Sequence, residues 1–336
     1  MLIEEQVPLS LHTTFRLGGE ARFLARVGNL EDLAETLVWA RERHLRTMVL
    51  GGGSNCLVSD EGFDGIIIKI ESRGIAFAEE GGKIVCTAAA GEVWDSLVAE
   101  ATGRGLWGVE NLSGIPGTVG GAPVQNIGAY GSELSDSLVW VEVFDTTLSQ
   151  VVRFSKEGCE FGYRSSVFKK HPGRYVVLHA ALALSPMGSA KLTYKDLKEH
   201  FKDGAPDTPQ EVREAVLAIR ARKFPDLTKE GTAGSFFLNP IVSTKKAQEL
   251  KARYPQLPQF QSEGGVKISL AWLLDHVLNV KGMSVGGARL FEKQPIVVVA
   301  DESATTRDVH ALADAIVARV EETFAITLEK EVQVVA

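Results

Sequence analysis

Residues 113–131 read SGIPGTVGGAPVQNIGAYG, and six of these nineteen are glycine. Bulky side chains are nearly absent before Gln125. Glycine lets a backbone come close to a ligand and reach positive φ. A run of this kind aims successive N–H groups at a phosphate or at the edge of a heteroaromatic ring. The glycines alone fit a long surface loop equally well. Ile115, Val119, Val124 and Ile127 are spaced among them, however, and a solvated linker has no use for such residues.

The rest of the composition narrows the classes. The chain has 336 residues, 45% hydrophobic and 24% charged, which suits two or three globular domains. Net charge is −7, the pI is about 5.6, and no long basic stripe appears, so nucleic acid is a poor partner. An acidic chain that binds an anionic ligand must use a few placed cations and backbone dipoles. Cys56, Cys86 and Cys159 are odd in number and widely spaced, which fits neither a disulfide framework nor a zinc site and points to a reducing compartment. The N-terminal MLIEEQVPLSLHTTF is too polar for a signal peptide, and no apolar run approaches the ~20 residues of a membrane helix. A soluble cytoplasmic protein without membrane partners is expected.

Working outward from the glycine run, residues 22–27 read as a strand, 30–44 as a helix with Leu30, Leu33, Leu37 and Val38 on one face, and 47–50 as a strand ending in GGGSN. Further strands are predicted at 65–70, 83–89, 138–145, 175–184, 295–300 and 326–335. Helices are predicted at 92–103, 244–253, 269–278 and 305–323. Thr208-Pro209-Gln210-Glu211 is a capping box that opens a helix to about Arg222. Helices and short strands in separate blocks suggest α+β rather than a doubly wound parallel sheet.

Four more strings carry chemistry: LGGGSNCLVSD (50–60), FGYRSSVFK (161–169), GTAGSFFLNP (231–240) and LEKEVQVV (328–335). GGGSN is not a dinucleotide fingerprint, because Cys56 stands where the last glycine belongs. Glycines directly after a strand can still cradle a pyrophosphate, although on these residues alone a plain turn between strands is the favoured reading. Ser235 follows a flexible Ala-Gly and precedes two aromatics, as in a turn into a buried strand. Arg164 is either a surface ion-pair former or a bidentate clamp for a carboxylate.

In this order, and with HTTFRLGG at 12–19, these strings resemble the UDP-N-acetylenolpyruvoylglucosamine reductase family, flavoenzymes of peptidoglycan precursor synthesis, over nearly the whole chain. The resemblance implies an α+β protein of three domains. Residues 1–71 plus 325–336 and residues 72–224 would form a vanillyl-alcohol-oxidase-like (PCMH-type) FAD-binding module. Residues 225–324 would form an α+β substrate-binding domain. FAD would be held by Gly51, Gly52, Gly53, Ser54 and Asn55, and by Ser113, Gly114, Gly117, Thr118, Gly120, Gly121, Asn126 and Gly128. NADPH would be the co-substrate and an enolpyruvyl UDP-sugar the substrate.

The resemblance assigns hydride transfer from reduced flavin to the vinyl carbon, then protonation by Ser235. Arg164 would bind the substrate carboxylate. Glu331 would face the same group and would need burial to stay protonated. Tyr194 matches a loop that closes over the nucleotide in one subtype. Lys223, Asn239, Lys281 and Gln294 match positions contacting the diphosphate and uridine. Two departures stand out: Leu238 replaces a common lysine, and Gln333 replaces an arginine two residues after the glutamate. A monomer without metal is expected. The rivals are another flavin oxidoreductase of the vanillyl-alcohol oxidase group, with no need for the serine and glutamate motifs, and a non-enzymatic UDP-sugar binder.

Overall fold

Alternating apolar side chains build two sheets in the first part of the chain. The structure, a computed structural model, describes residues 2–336. It divides into two compact units, one of residues 2–7, 21–53 and 64–221, the other of residues 8–20, 54–63 and 222–336.

The first unit contains a four-stranded sheet in the order Leu2–Pro8, Glu20–Val27, Phe63–Ile70, Arg46–Leu50. The last two strands run parallel, with Met48 opposite Ile67. The strands predicted at 22–27 and 47–50 are therefore not neighbours; Phe63–Ile70 lies between them. Ile66, Ile67 and Ile68 are all buried, as expected of a strand covered on both faces. The helix Leu30–Glu42 is capped by Asn29, whose side chain accepts from Asp32 N. Its buried stripe is Leu33, Thr36 and Ala40, while Leu30 and Val38 are exposed. A 3.6-residue period centred on Leu33 carries those two leucine and valine positions off the inner face.

A five-stranded antiparallel sheet follows, in the order Gln150–Ser155, Leu138–Asp145, Tyr175–Leu184, Lys83–Ala89, Ile75–Glu80. The three inner strands match the predicted ones closely. The two edge strands were not foreseen, because their outward faces are solvated and their apolar alternation is faint. Trp94, Leu97, Val98 and Ala101 of the helix Trp94–Gly103 pack in the same core as Val141, Val143, Ala180 and Leu182.

The second unit holds a four-stranded sheet, Gly231–Ser235, Val297–Ala300, Ala288–Leu290, Ser284–Val285, and a three-stranded one, Ile241–Val242, Gly265–Ile268, Gln259–Ser262. The strand predicted at 326–335 is shorter than expected. Only Gln333–Val335 is regular, and it runs parallel to Cys56–Val58. Ile326, Leu328 and Val332 still alternate inward, but Lys330 makes a single bridge to Phe237 and the ladder does not extend.

The helix Thr306–Phe324 covers this unit's core with Val309, Leu312, Ala313, Ile316, Val320 and Phe324, a stripe at helical spacing. Thr305 and Asp308 form its capping box. Asp60 adds a second cap from far along the chain, accepting from Thr306 N at 2.8 Å and Arg307 N at 3.1 Å. A carboxylate there satisfies two otherwise unbonded N–H groups and complements the helix dipole. Asp60→Ala should therefore destabilise the protein by about 1 kcal/mol, and Ile316→Ala by about 2–5 kcal/mol. Denaturant midpoints of the two variants against the parent check both values.

Candidate active site

The first unit brings two glycine stretches into contact. The strand Arg46–Leu50 ends at buried Leu50, and the chain turns at Gly51. Leu50 lies opposite Lys69, whose Nζ donates to the Gly51 carbonyl at 2.6 Å. The run 113–131 is fastened beside the helix Trp94–Gly103. Gly120 N donates to Ala90 O at 2.8 Å, Val119 N to Glu92 O at 2.9 Å, and Trp94 N to Gly117 O at 3.1 Å. Val119, Ala122 and Ile127 are buried, which is why the run carries apolar residues.

Where the stretches meet there is no space for side chains. A Cβ on Gly52 would lie 2.7 Å from Gly117 Cα, and one on Gly51 would lie 2.5 Å from Thr118 Oγ1. Thr118 Oγ1 is itself buried and, among the described residues, has no hydrogen-bond partner. A buried hydroxyl left unpaired is costly. The unpaired Thr118 hydroxyl fits a polar ligand atom beside it, while the two glycines are required by the packing of one stretch on the other.

Other residues of the run are committed within the protein. Asn126 Nδ2 donates to Glu133 Oε2 at 2.8 Å and to Gly162 O at 3.3 Å, and its Oδ1 accepts from Ser135 N at 3.0 Å. Ser113 is fully buried and donates its hydroxyl to Glu110 O at 2.6 Å. Gly121 is exposed. Arg164 occupies a tight turn in which Gly162 and Ser165 bond each other, and its own φ is +52°. Its Nη2 donates to the Gly128 carbonyl at 2.7 Å. Arg164 and the end of the glycine run thus lie together. Tyr194 precedes the short helix Lys195–His200, is 41% exposed, and sets its ring edge-on to Tyr130.

One group here was invisible to motif reading. Asp95, in the first turn of its helix, accepts Gly114 N at 2.6 Å. Arg213, on the helix Pro209–Lys223, grips the same carboxylate with two bonds of 2.5 and 2.8 Å. Burial pushes the Asp95 carboxyl up, but the Arg213 fork and the Gly114 N–H outweigh it and hold it below the usual range. Arg220 lies seven residues on, hence on the same helix face, with Nε 3.0 Å from the place of a Gly114 Cβ. The seven-residue spacing of two arginines was the available signal.

In the second unit the serine and glutamate segments are adjacent. Gly234 has a φ of +77°, and the pairing of Gly231–Ser235 with Val297–Ala300 slips between Thr232 and Ser235. That bulge turns Ser235 out of the regular alternation. The next residue, Phe236, accepts Glu331 N at 2.9 Å, and Leu238 N donates to Glu329 O at 2.9 Å. Asn55 joins the same ladder: its Nδ2 donates to Glu331 O at 3.1 Å, and its carbonyl accepts Gln333 N at 3.0 Å. Asn55, Ser235 and Glu331 are therefore brought together. Ser235 and Glu331 are both half-buried.

The remaining polar positions differ in what they already do. Asn239 Oδ1 accepts Leu270 N at 3.0 Å. Lys281 pairs with Asp275 at 2.8 Å. Lys223 and Gln294 are half-buried. No helix among the described residues is long and apolar enough to cross a membrane.

Residues 21–155 match the family model described as an FAD binding domain. Residues 226–335 match that of the UDP-N-acetylenolpyruvoylglucosamine reductase C-terminal domain. Together they define an FAD-binding oxidoreductase of mixed helix and sheet. Proteins named UDP-N-acetylenolpyruvoylglucosamine reductase are similar along nearly their whole length. The one from Pseudomonas putida is 36% identical, covering 98% of this chain and 97% of its own. That of Neisseria gonorrhoeae is 38% identical, with 98% and 96% covered. That of Burkholderia ambifaria is 40% identical, with 96% and 94% covered. The solved reductase from Thermus caldophilus aligns over the whole of both chains with a TM-score of 0.69 and 27% identity. The chain belongs to the UDP-N-acetylenolpyruvoylglucosamine reductase family.

Gly52→Ala should expel FAD, since its Cβ would strike the Gly117 backbone at 2.7 Å. Gly121→Ala should keep FAD, because its nearest neighbour would be Thr118 O at an ordinary 3.5 Å. The flavin-to-protein absorbance ratio after purification separates the two. Asp95 also sets a pH limit. Its carboxyl is lowered in the folded state, so its stabilisation is present above the unfolded value of about 3.9 and is lost as pH falls through the folded one. Melting curves from pH 6 downward should fall more steeply for the parent than for Asp95→Asn, which has nothing there to protonate.

Proposed function

We propose that this chain reduces UDP-N-acetylglucosamine enolpyruvate to UDP-N-acetylmuramate with electrons from NADPH. The chemistry supplied by bound FAD is hydride transfer, from NADPH to the vinyl CH₂ of the enolpyruvyl ether in two successive half-reactions. Gly51 to Asn55 and the residues around Gly114, Gly117, Thr118 and Gly120 hold the cofactor, the glycines by letting bare backbone come close to it. The observation that carries the reading is the ladder joining Asn55, Phe236 and Glu331 beside the bulge at Ser235.

Each side chain has one task. Arg164 binds the substrate carboxylate and stabilises the charge that develops when hydride arrives at the neighbouring carbon. Its guanidinium is steadied by the Gly128 carbonyl. Ser235 gives its hydroxyl proton to the resulting carbanion. Glu331 faces the same carboxylate; where it carries its proton it donates a hydrogen bond to that group, since an ionised one would repel it. Tyr194 covers the nucleotide, and Lys223, Asn239, Lys281 and Gln294 contact the diphosphate and uridine. For Lys281 this requires exchanging Asp275 for a phosphate.

In this reading residues 1–71 with 325–336, and 72–224, carry the cofactor, and residues 225–324 carry the substrate. The enzyme works as a cytoplasmic monomer, and its three buried free cysteines suit a reducing compartment.

Ser235→Ala should bind flavin and accept electrons from NADPH at the parent rate. Reoxidation by the enolpyruvyl substrate should slow by about 10²–10⁴-fold. Anaerobic stopped-flow absorbance resolves the two half-reactions, and equal slowing of both removes Ser235 from proton transfer. Glu331→Gln keeps a donor of similar reach. It should retain far more activity than Glu331→Ala if the role is electrostatic, and as little if Glu331 transfers a proton.

A further inference from the structure

Tyr130 is a bulky residue in a conformation that bulky residues avoid. Its φ is +49°, and Gly131 follows at +84°. Gly128 and Ala129 pair antiparallel with Glu133 and Ser132, so Tyr130 and Gly131 are the central residues of a two-residue hairpin. Positive φ at both positions ordinarily selects asparagine or aspartate and then glycine. A tyrosine in the first position is strained and persists only where its surroundings hold it.

Three contacts hold it. Asn111, almost fully buried, donates Nδ2 to the Tyr130 carbonyl at 2.8 Å and to the Lys191 carbonyl at 2.9 Å. The same amide thus ties the hairpin to the segment leading into Tyr194. The Tyr130 phenol is buried, which pushes it up to about 12, and it hydrogen-bonds with Arg220. Arg220 is in turn wedged against Gly114 of the glycine run. On its open side the Tyr130 ring meets Tyr194, with centroids 5.2 Å apart and planes at 78°. This edge-to-face arrangement is a favourable one. A Cβ on Gly131 would lie 2.6 Å from Thr193 Oγ1, so the loop before Tyr194 rests directly on the hairpin.

We infer that Tyr130, held by Arg220, is a positioning residue that sets the Tyr194 loop for the nucleotide substrate. The inference rests on the proposed role of Tyr194 and deepens it. Tyr130 is given no part in hydride or proton transfer. Its strained backbone aims the ring, and the ring fixes the loop.

Tyr130→Asn is the decisive variant, because asparagine suits the hairpin backbone while removing both ring and hydroxyl. It should keep its flavin and its rate of flavin reduction by NADPH. KM for the enolpyruvyl UDP-sugar should rise about three- to tenfold, the range expected for losing one aromatic pair. UDP binding followed by tryptophan fluorescence should weaken in parallel. In a Tyr194→Ala background the same change should add nothing, since residues acting through one another are not additive. An unchanged KM in Tyr130→Asn, or an effect that persists undiminished in that background, overturns the positioning role. Should Tyr130→Asn lose its flavin, Tyr130→Phe decides: it keeps the ring but frees it from Arg220, and an unaltered KM there also overturns the role. An unchanged KM in Tyr194→Ala itself would instead sink the nucleotide-covering reading, and this inference with it.

Discussion

Main chain packed on main chain at Gly52 and Gly117 is the constraint on which the first unit is built. A single methyl group at Gly52 would lie 2.7 Å from the Gly117 Cα. Such contacts have no side-chain freedom with which to absorb error, so both stretches must be held from outside. Lys69 holds the Gly51 carbonyl. The residues around Trp94 hold Gly117, Val119 and Gly120, and the Trp94 ring donates to Leu112 O at 3.0 Å. The apolar residues of the run anchor it from beneath. The run is thus tied down through its own N–H groups, which donate to Ala90, Glu92 and Asp95.

Charge is handled by the same economy of means. The chain carries a net charge of −7, while the ligands proposed for it are anionic. Local cations and oriented N–H groups must therefore act against the average field. The Asp95–Arg213 pair does not supply net positive charge, because its members cancel. Its effect is geometric: Asp95, gripped by Arg213, accepts the Gly114 N–H and fixes that turn. Arg220 lies against that turn and hydrogen-bonds with Tyr130. In the second unit Asp60 plays the corresponding part for the helix Thr306–Phe324, placing a carboxylate where four N–H groups begin.

The candidate site is written largely in contiguous strings. GGGSN, the run 113–131, FGYRSS, GTAGSFF and LEKEV each bring their own turn and their own chemistry, and the structure sets Ser235 next to the Glu331 segment. The roles within those strings were less legible. Asn126 and Ser113 look like ligand donors in sequence but use their side chains to hold the loop. Nothing in a one-dimensional string distinguishes a polar group aimed at a ligand from one aimed at its own backbone.

What the sequence determined by itself was the set of inner strands and amphipathic helices, the α+β class, the family and the chemical groups available. These follow from local periodicity, from capping residues such as Thr208 and Glu211, and from residue types inside short motifs. Tertiary structure alone decided which strands pair, since Phe63–Ile70 slips between two strands that are closer in sequence. It alone joined Asp95 to Arg213 and Tyr130 to Arg220 and Tyr194, and it left edge strands such as Ile75–Glu80 paired on one side only. The reason is physical. Helices and buried strands announce themselves through the spacing of apolar side chains. Long-range ion pairs, strained turns and backbone-to-backbone contacts depend on where distant segments meet, and no local spacing encodes that meeting.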